Sequence, residues 1–349
     1  MTHPITQRPM ARRTFIASAA AVLGAPALGT AAIAQAAPAR VGVIPIIGAS
    51  PIFVADKEGW ARQAGLDFIF TTFESGPNMI QALASGTIDI YVAGVAPLGV
   101  ARSRGVDVKV VASTATGENV FVATPRLAAF FQAGVPHAEA FKRYRAQTGK
   151  AARLATQPPG SVPNTTLQYW LWEQIKADKA DVEIVAMGID ATQQAVLADA
   201  VEGATVREPA LSIVQKRNPA IRLVAVGDEL FPGQPGTVVA VSGAFLAKNP
   251  DKIQGLVNAL VKAGALLTRD PDKAAPHVAA NLAKGIVDLD TIRAALKSPA
   301  SRFTIDPRTI IEPTKAMQDY QVKLGSLRQA VSLDGLFDTS FFEKAPAAS

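Results

Sequence analysis

Beyond residue 40, short apolar runs alternate with amphipathic stretches, and Gly, Pro, Ser or Asp punctuates nearly every change. Val41-Gly42-Val43-Ile44 reads as a buried strand. Phe53, Val54, Trp60, Ala61 and Ala64 recur at helical spacing and predict a helix over Phe53 to Ala64, ended by Gly65. Leu66 to Phe73 reads as a strand. Ser75-Gly76-Pro77 then opens a helix with Ser75 as cap, burying Met79, Ile80, Leu83 and Ala84 and stopping at Gly86. Ile88, Ile90 and Val92 alternate with Asp89, Tyr91 and Ala93 as a third strand. Ala96-Pro97 starts a helix that Gly105 ends, and Val106 to Ala112 is a strand again.

The middle of the chain repeats the alternation. Strands are predicted at Arg153 to Thr156, Val182 to Ala186, Ala204 to Val206, Ile221 to Val226 and Val238 to Val241. Helices are predicted from Asn164 to Ile175, with Leu167, Trp170 and Leu171 inward, and from Pro209 to Lys216. Asp190-Ala191-Thr192-Gln193 has the form of a capping box. Gly227 to Gly236, rich in Pro and Gly, reads as a boundary. From there the pattern is mainly helical, with Asn249-Pro250 and Asp270-Pro271 as helix starts and Asp288 and Asp290 as caps. Alternation of this kind predicts an α/β protein with mostly parallel sheets flanked by helices. Two sheet-containing units before a helical C-terminal third suggest two lobes.

Composition narrows the function. At 349 residues, 49% hydrophobic and mean hydropathy +0.19, the chain can fill a substantial core, which excludes global disorder. The absence of cysteine excludes a disulfide scaffold, thiolate metal sites, a cysteine nucleophile and a lipid-modified N-terminal cysteine. The net charge of +6 is misleading. Arg8, Arg12 and Arg13 stand in residues 1–36 with no acidic residue, so the remainder holds 32 Lys and Arg against 29 Asp and Glu, or +3. That removes the main support for nucleic-acid binding.

Arg12-Arg13-Thr14-Phe15-Ile16 precedes an apolar run, Ala17 to Ala34, that ends in two Ala-x-Ala patterns. Residues 1–36 therefore read as a twin-arginine-type signal peptide, with the mature protein exported to the periplasm. Gly24, Pro26 and Gly29 make this run a poor membrane anchor.

Several segments between Val41 and Asp338 resemble one family. They are Val54-Ala55-Asp56-Lys57-Glu58-Gly59-Trp60, Ala64-Gly65-Leu66-Asp67 and Phe73-Glu74-Ser75-Gly76. Gln81 to Asp89 and Gly94-Val95-Ala96-Pro97 follow, then Arg207-Glu208-Pro209, Phe245 to Pro250 and Leu333 to Asp338. In order and spacing they are similar to the periplasmic substrate-binding proteins of ABC importers, of the nitrate, sulfonate and taurine subfamily. The resemblance implies a type II periplasmic-binding-protein-like fold of two lobes with a ligand cleft between them. Lobe one would comprise residues 40–123 and 237–344, and lobe two residues 124–236. It implies capture of a small, preferably anionic solute by lobe closure, delivery to an ABC permease in the inner membrane, and a monomer that binds no nucleic acid and no cofactor. Two departures fall in lobe two: Phe141 to Ala152 is irregular where the family has a Leu-Lys-Gly-Lys turn, and Ala198 to Gly203 blurs its Gly-x-x-Asp-Ala.

In open α/β sheets a ligand lies beyond the carboxyl ends of the strands. With the resemblance, this places Ser50, Phe53, Ser75, Gly76, Gly94, Ala96, Glu118 and Asn119 at one rim, and Gly160, Ser161, Thr165, Arg207 and Glu208 at the other. Helix N-termini at Ser75, Ala96 and Asn164 would aim N–H groups at an anion. Ser75 reads equally as a plain cap, and Phe53 as the first core residue of its helix. Gly94 and Gly160 read as backbone geometry, and Ser161 and Thr165 as generic hydroxyl donors. Arg207 is either a clamp for an anion or the partner of a carboxylate. Glu118 and Glu208 would repel an anion and favour an amine or protonated ring.

Signals for catalysis are few. His137 and His277 have no sequence neighbours at zinc spacing, and neither a phosphate-binding loop nor a Gly-x-Ser-x-Gly elbow occurs. Some relatives of this fold make a pyrimidine vitamin precursor with a cysteine-rich segment, which this chain lacks. A binding protein that feeds a sensory receptor stays open beside transport.

Overall fold

The computed structural model describes residues 37–282 and 287–347. The expected signal peptide lies outside them. Within the described residues no helix is long and apolar enough to cross a membrane.

Two five-stranded sheets share one plan. In the first the order is β2 (Leu66–Thr72), β1 (Ala37–Val43), β3 (Ile90–Gly94), β11 (Thr237–Ser242) and β4 (Val108–Ser113). In the second it is β10 (Arg222–Val226), β6 (Val120–Ala123), β9 (Gly203–Val206), β7 (Ala152–Thr156) and β8 (Val182–Ala186). β1 runs parallel to β2 and β3, and β7 runs parallel to β8 and β9. One strand in each sheet is reversed: β11 is antiparallel to β3 and β4, and β6 to β9 and β10. The mostly parallel expectation therefore holds, with an exception that has a cause. β6 and β11 are the two strands by which the chain enters a sheet directly from the other one, so they start at the shared edge where the rest end.

The two crossings run side by side. β5 (Ala115–Thr116) pairs with β12 (Arg302–Phe303), Thr116 bridges Pro235, and the Gly117 N–H donates to Gln234 O at 3.0 Å. Gln234 locks the crossings together: its Oε1 accepts from the Asn119 backbone N–H at 2.8 Å and from Asn119 Nδ2 at 3.0 Å, and its Nε2 donates to Gly227 O at 2.9 Å. Because Val120–Ala123 already belongs to the second sheet, the chain crosses before the boundary expected at residue 124.

Helices cover both faces of each sheet, so alternation on β3 does not separate core from solvent. All five of its residues are buried, Tyr91 included. Asp89, just before it, is buried beneath Arg40, accepting from the Arg40 backbone N–H at 3.0 Å, Nε at 2.9 Å and Nη2 at 2.6 Å. Trp170 fills the second sheet's core with Phe121, at 4.8 Å between ring centres, and Phe141, at 6.1 Å. Among the C-terminal helices, Pro250–Arg269 buries Ile253, Leu256, Val257 and Leu260 on the first sheet's core. Asp288 caps Leu289–Leu296, accepting from the Thr291 N–H at 2.9 Å.

Five local expectations need correction. The helix over Phe53 to Ala64 is two helices, Ser50–Lys57 and Trp60–Gln63, broken at Gly59. Ala84 is exposed. Phe141 to Ala152 is not irregular: His137–Thr148 is a helix, because Ala140, Phe141 and Tyr144 form a narrow buried stripe amid charged neighbours. The helix placed at Asn164 starts at Val162, with Ser161 as its cap, and widens into a π-helical turn over Trp170–Gln174. Asp190 is no cap: Gly188 precedes Ile189–Leu197, and Asp190 lies inside the first turn.

Candidate functional site between the two sheets

The carboxyl ends of the parallel strands in both sheets face one another, and the gap is shut by direct contacts. The Ile47 N–H donates to Glu208 O at 2.9 Å, and the Ile189 N–H to Glu74 O at 3.2 Å. Glu74 Oε2 accepts from the Asp190 N–H at 3.3 Å, so a carboxylate from the first sheet caps a helix of the second. Gln321, on the helix Ile311–Lys323, donates to Gly160 O at 3.2 Å. Gly94 faces Val162 so closely that a Cβ on it would stand 2.8 Å from Val162 Cγ2. Helices starting at Ser50, Gly76 and Ala96 meet helices starting at Val162, Ile189 and Ala210 here. Their positive ends make the gap hospitable to an anion.

Arg207 is the dominant charge. It follows the last residue of β9 and is only 3% exposed. Its Nη2 has no hydrogen-bond partner among the described residues. Burial pulls its guanidinium below the ordinary arginine value, and the nearby Glu118 carboxylate and Tyr91 act against that pull. A buried guanidinium lacking a full set of acceptors is costly, and an anionic group would offset the cost.

Glu118 is 2% exposed. Its Oε2 accepts from the Thr237 N–H at 2.6 Å and from Thr237 Oγ1 at 2.7 Å. Its Oε1 has no partner among the described residues and abuts Gly48. Among the described residues, Asn119 Oδ1, Ser50 Oγ and Gln321 Oε1 also lack a partner. The structure thus places Ser50, Glu118, Asn119 and Arg207, each with an unmet polar atom, where the two sheets approach one another.

The remaining expected site residues have local roles. Phe53 is a core residue, edge-on to Phe70 at 5.5 Å. Ser75 caps its helix by accepting from the Asn78 N–H at 3.4 Å, and Ser161 accepts from the Asn164 N–H at 3.3 Å. Thr165 Oγ1 donates to Ser161 O at 2.8 Å, so its hydrogen is committed. Gly76 and Ala96 are buried first residues of helices, and a Cβ at Gly76 would strike Tyr91 Oη at 2.7 Å. Gly160 has φ +84°, a conformation that favours glycine. Sequence reasoning missed Tyr91, whose Oη donates to Gly94 O at 2.7 Å, and missed Thr237 and Gln234. His277, which has no carboxylate neighbour in sequence, sits 2.9 Å from Glu58 Oε1. Among the described residues no group of side chains is placed to hold a metal ion.

A cavity of about 330 Å³ opens at the lip of the gap, between Pro45 and Thr72 on one side and Ile189, Asp190, Arg207 and Ile213 on the other. Its size is that of a small-molecule site.

Glu208 carries a testable pH signature. Burial raises its carboxyl above the ordinary 4.5, opposed by Ser298 and by the Ser212 N–H and hydroxyl. The native state therefore holds this proton more tightly than the unfolded chain. The associated stability is full below the ordinary value and is lost as pH rises through the higher, native one. Relative to the wild type, Glu208→Gln should gain stability as pH rises above about 4.5 and level off once pH passes the higher native value, read from urea midpoints. A gap independent of pH would refute the assignment.

Comparison with known proteins puts this geometry in context. The family described as NMT1-like matches residues 33–283. A protein of Brucella abortus (strain 2308), named as a binding protein, is 25% identical over 286 residues, 81% of this chain and 82% of that one. A Bacillus subtilis (strain 168) protein named for binding aliphatic sulfonates is 22% identical over 302 residues, 85% of each chain. Among solved structures, the periplasmic nitrate-binding protein NrtA from Synechocystis PCC 6803 aligns with TM-score 0.73 at 14% identity, covering 88% of this chain and 87% of that one. The alkanesulfonate-binding protein SsuA from Xanthomonas axonopodis pv. citri, bound to MOPS, aligns with TM-score 0.68 at 18% identity, covering 87% and 100%. These likenesses show the fold: two α/β lobes of the periplasmic-binding-protein type, as the sequence resemblance implies.

Proposed function

This chain belongs to the NMT1-like family, and from that premise we propose that it is the solute-binding component of an ABC import system that holds a small organic anion between two closing lobes. The observation that carries the reading is Arg207, a cation 3% exposed at the edge where the sheets meet, with Nη2 unpaired among the described residues. The names of the matched relatives, for binding aliphatic sulfonates, nitrate and alkanesulfonates, support it.

In this reading the two sheets are the cores of the lobes. The hinge is the pair of crossings at Ala115–Asn119 and Gln234–Thr237, where few residues must change φ and ψ for the lobes to part. The leader over residues 1–36 exports the protein to the periplasm. There it acts as a monomer, closes on the solute, docks on an inner-membrane permease and releases the solute chemically unchanged.

The test is a thermal-shift screen of the mature protein against sulfonates, nitrate, carboxylates, amines and pyrimidines. A solute at one hundred times its dissociation constant stabilises the native state by about 2.7 kcal/mol. At least one anion should raise the melting temperature by several degrees and come back unaltered after incubation. Silence across the panel, or turnover of the stabilising compound, would refute the proposal.

A further inference from the structure

Resting on the two-lobe reading, though not on which solute is held, we propose that the helix Ile311–Lys323 is a strap. It moves with the first lobe, clasps the second when the lobes shut, and lets go when they part. Apolar residues anchor it: Met317, and Ile310 just ahead of the helix, are fully buried in the first sheet's core. Its far end reaches the second lobe through three contacts. Gln321 Nε2 donates to Gly160 O at 3.2 Å, and Tyr320 stands edge-on to Tyr169 at 5.0 Å between ring centres. Lys323 Nζ pairs with Glu173 Oε1. Tyr169 ends the helix Val162–Tyr169, and Glu173 lies in the turn that continues it. The hydrogen bond and the exposed ion pair can each be exchanged for water at little cost.

A second observation is the polarity of the face that the strap buries. Thr314, Gln318 and Gln321 recur at the spacing of one helix face and are 2%, 2% and 0% exposed. Each keeps a polar atom with no partner among the described residues: Thr314 Oγ1, Gln318 Nε2 and Gln321 Oε1. Gln318 lies over Gly99 of the first lobe, its Cδ 3.4 Å from a Cβ built there, and Gln321 lies over Gly160 of the second. The stripe therefore follows the junction of the two lobes.

A helix face buried in every state of the protein would be apolar, because a polar atom left unmet keeps its desolvation cost. A face that is wetted whenever the lobes part has its polar atoms served in that state. Water has a way in. A cavity of about 150 Å³ opens between Pro97 and Val100 on one side and Pro159 and Gly160 on the other. Shutting makes the contacts at Gly160 and Glu173 but strands the stripe, and parting does the reverse. The two tendencies oppose each other, so the strap by itself commits the lobes to neither state and leaves the choice to the solute.

The experiment measures opening in the ligand-free mature protein. The chain has no cysteine, so spin labels attach only where cysteines are introduced. Arg62→Cys and Lys150→Cys place one label on an exposed site of each lobe, and pulsed electron paramagnetic resonance reads the distance between them. Lys323→Glu sets a like charge against Glu173 and should raise the open fraction about two-fold or more. Adding Glu173→Lys to that variant re-forms the pair with its charges exchanged and should return the open fraction to the wild-type value. If Lys323→Glu does not fold, Lys323→Gln, which only removes the pair, should raise the open fraction instead. An open fraction that the change at Lys323 leaves as it was overturns the strap, and so does a rise that the charge exchange does not reverse. One distance common to the wild type and every variant overturns lobe closure along with it, whereas two distances in unchanged proportion overturn the strap alone.

Discussion

Replacing Arg207 with alanine is expected to lower affinity for the anionic solute on the order of a hundred-fold or more. The physical reason is the burial of the guanidinium. An exposed arginine at the rim would contribute about 1 kcal/mol or less and would be screened by salt. Arg207 is 3% exposed, and its Nη2, which has no hydrogen-bond partner among the described residues, lies at the edge where helix N-termini of both sheets converge. Truncating one partner of a buried, hydrogen-bonded charge pair costs roughly 2–5 kcal/mol, and about 1.4 kcal/mol is a factor of ten. Arg207→Lys should fall between: it keeps the charge but loses the planar fork that a sulfonate or carboxylate engages with two hydrogen bonds. Calorimetry on the wild type and both variants checks the order, with circular dichroism confirming that each folds. Alanine also leaves Glu118 without its compensating charge, so the ligand-free variant should melt lower than the wild type. An alanine variant that binds within a factor of three of the wild type would remove Arg207 from the site.

What could be read in the sequence, and what could not, follows the range of the interactions involved. Ser75-Gly76-Pro77 announced its helix because a cap and a first-turn proline act within four residues. Asp288 was legible for the same reason. The reversed strands were not, since nothing within Val120–Ala123 or Thr237–Ser242 records which strand lies alongside it. Asp190 misled: the capping-box pattern is present, but Glu74, 116 residues earlier, takes the Asp190 N–H. Tyr91 was hidden because alternation assigns it to the outer face of a half-exposed strand, and here helices cover both faces. In His137–Thr148 the apolar stripe is narrow and sits among Lys142, Arg143 and Arg145, so its period barely stands out. At the site, Arg207, Glu118 and Asn119 were all candidates. Their unmet atoms, the hold of Thr237 on Glu118 and the clasp of Gln234 on Asn119 exist only in three dimensions.

Closure itself should be blocked by a single methyl group on Gly94. This residue ends β3, and the Tyr91 hydroxyl fixes its carbonyl. Its φ lies outside the left-handed region, so alanine fits the backbone without strain. Among the described residues, and apart from its chain neighbours, the atoms within 4 Å of a Cβ built there belong to Val162, with Cγ2 at 2.8 Å and Cβ at 3.4 Å. Val162 begins a helix of the opposite lobe, and a β-branched side chain has little rotamer freedom with which to move aside. The conflict therefore exists only in the shut form. In an open form Gly94→Ala meets nothing, and the loss of glycine's freedom in the unfolded chain should stabilise it by about 0.4–1 kcal/mol. Overpacking of this kind costs roughly 1–3 kcal/mol, and the solute must supply that amount on closing. Affinity should fall between about five-fold and a hundred-fold, while the ligand-free melting temperature stays level or rises slightly. Small-angle scattering should show less contraction on adding solute than in the wild type. Val162→Ala, which removes the opposing methyl groups, should restore both affinity and contraction to the Gly94→Ala protein, although by itself it only trims a packed side chain. Full affinity in the single Gly94 variant, or no rescue in the double variant, would mean that the lobes do not meet at this point when the solute is held.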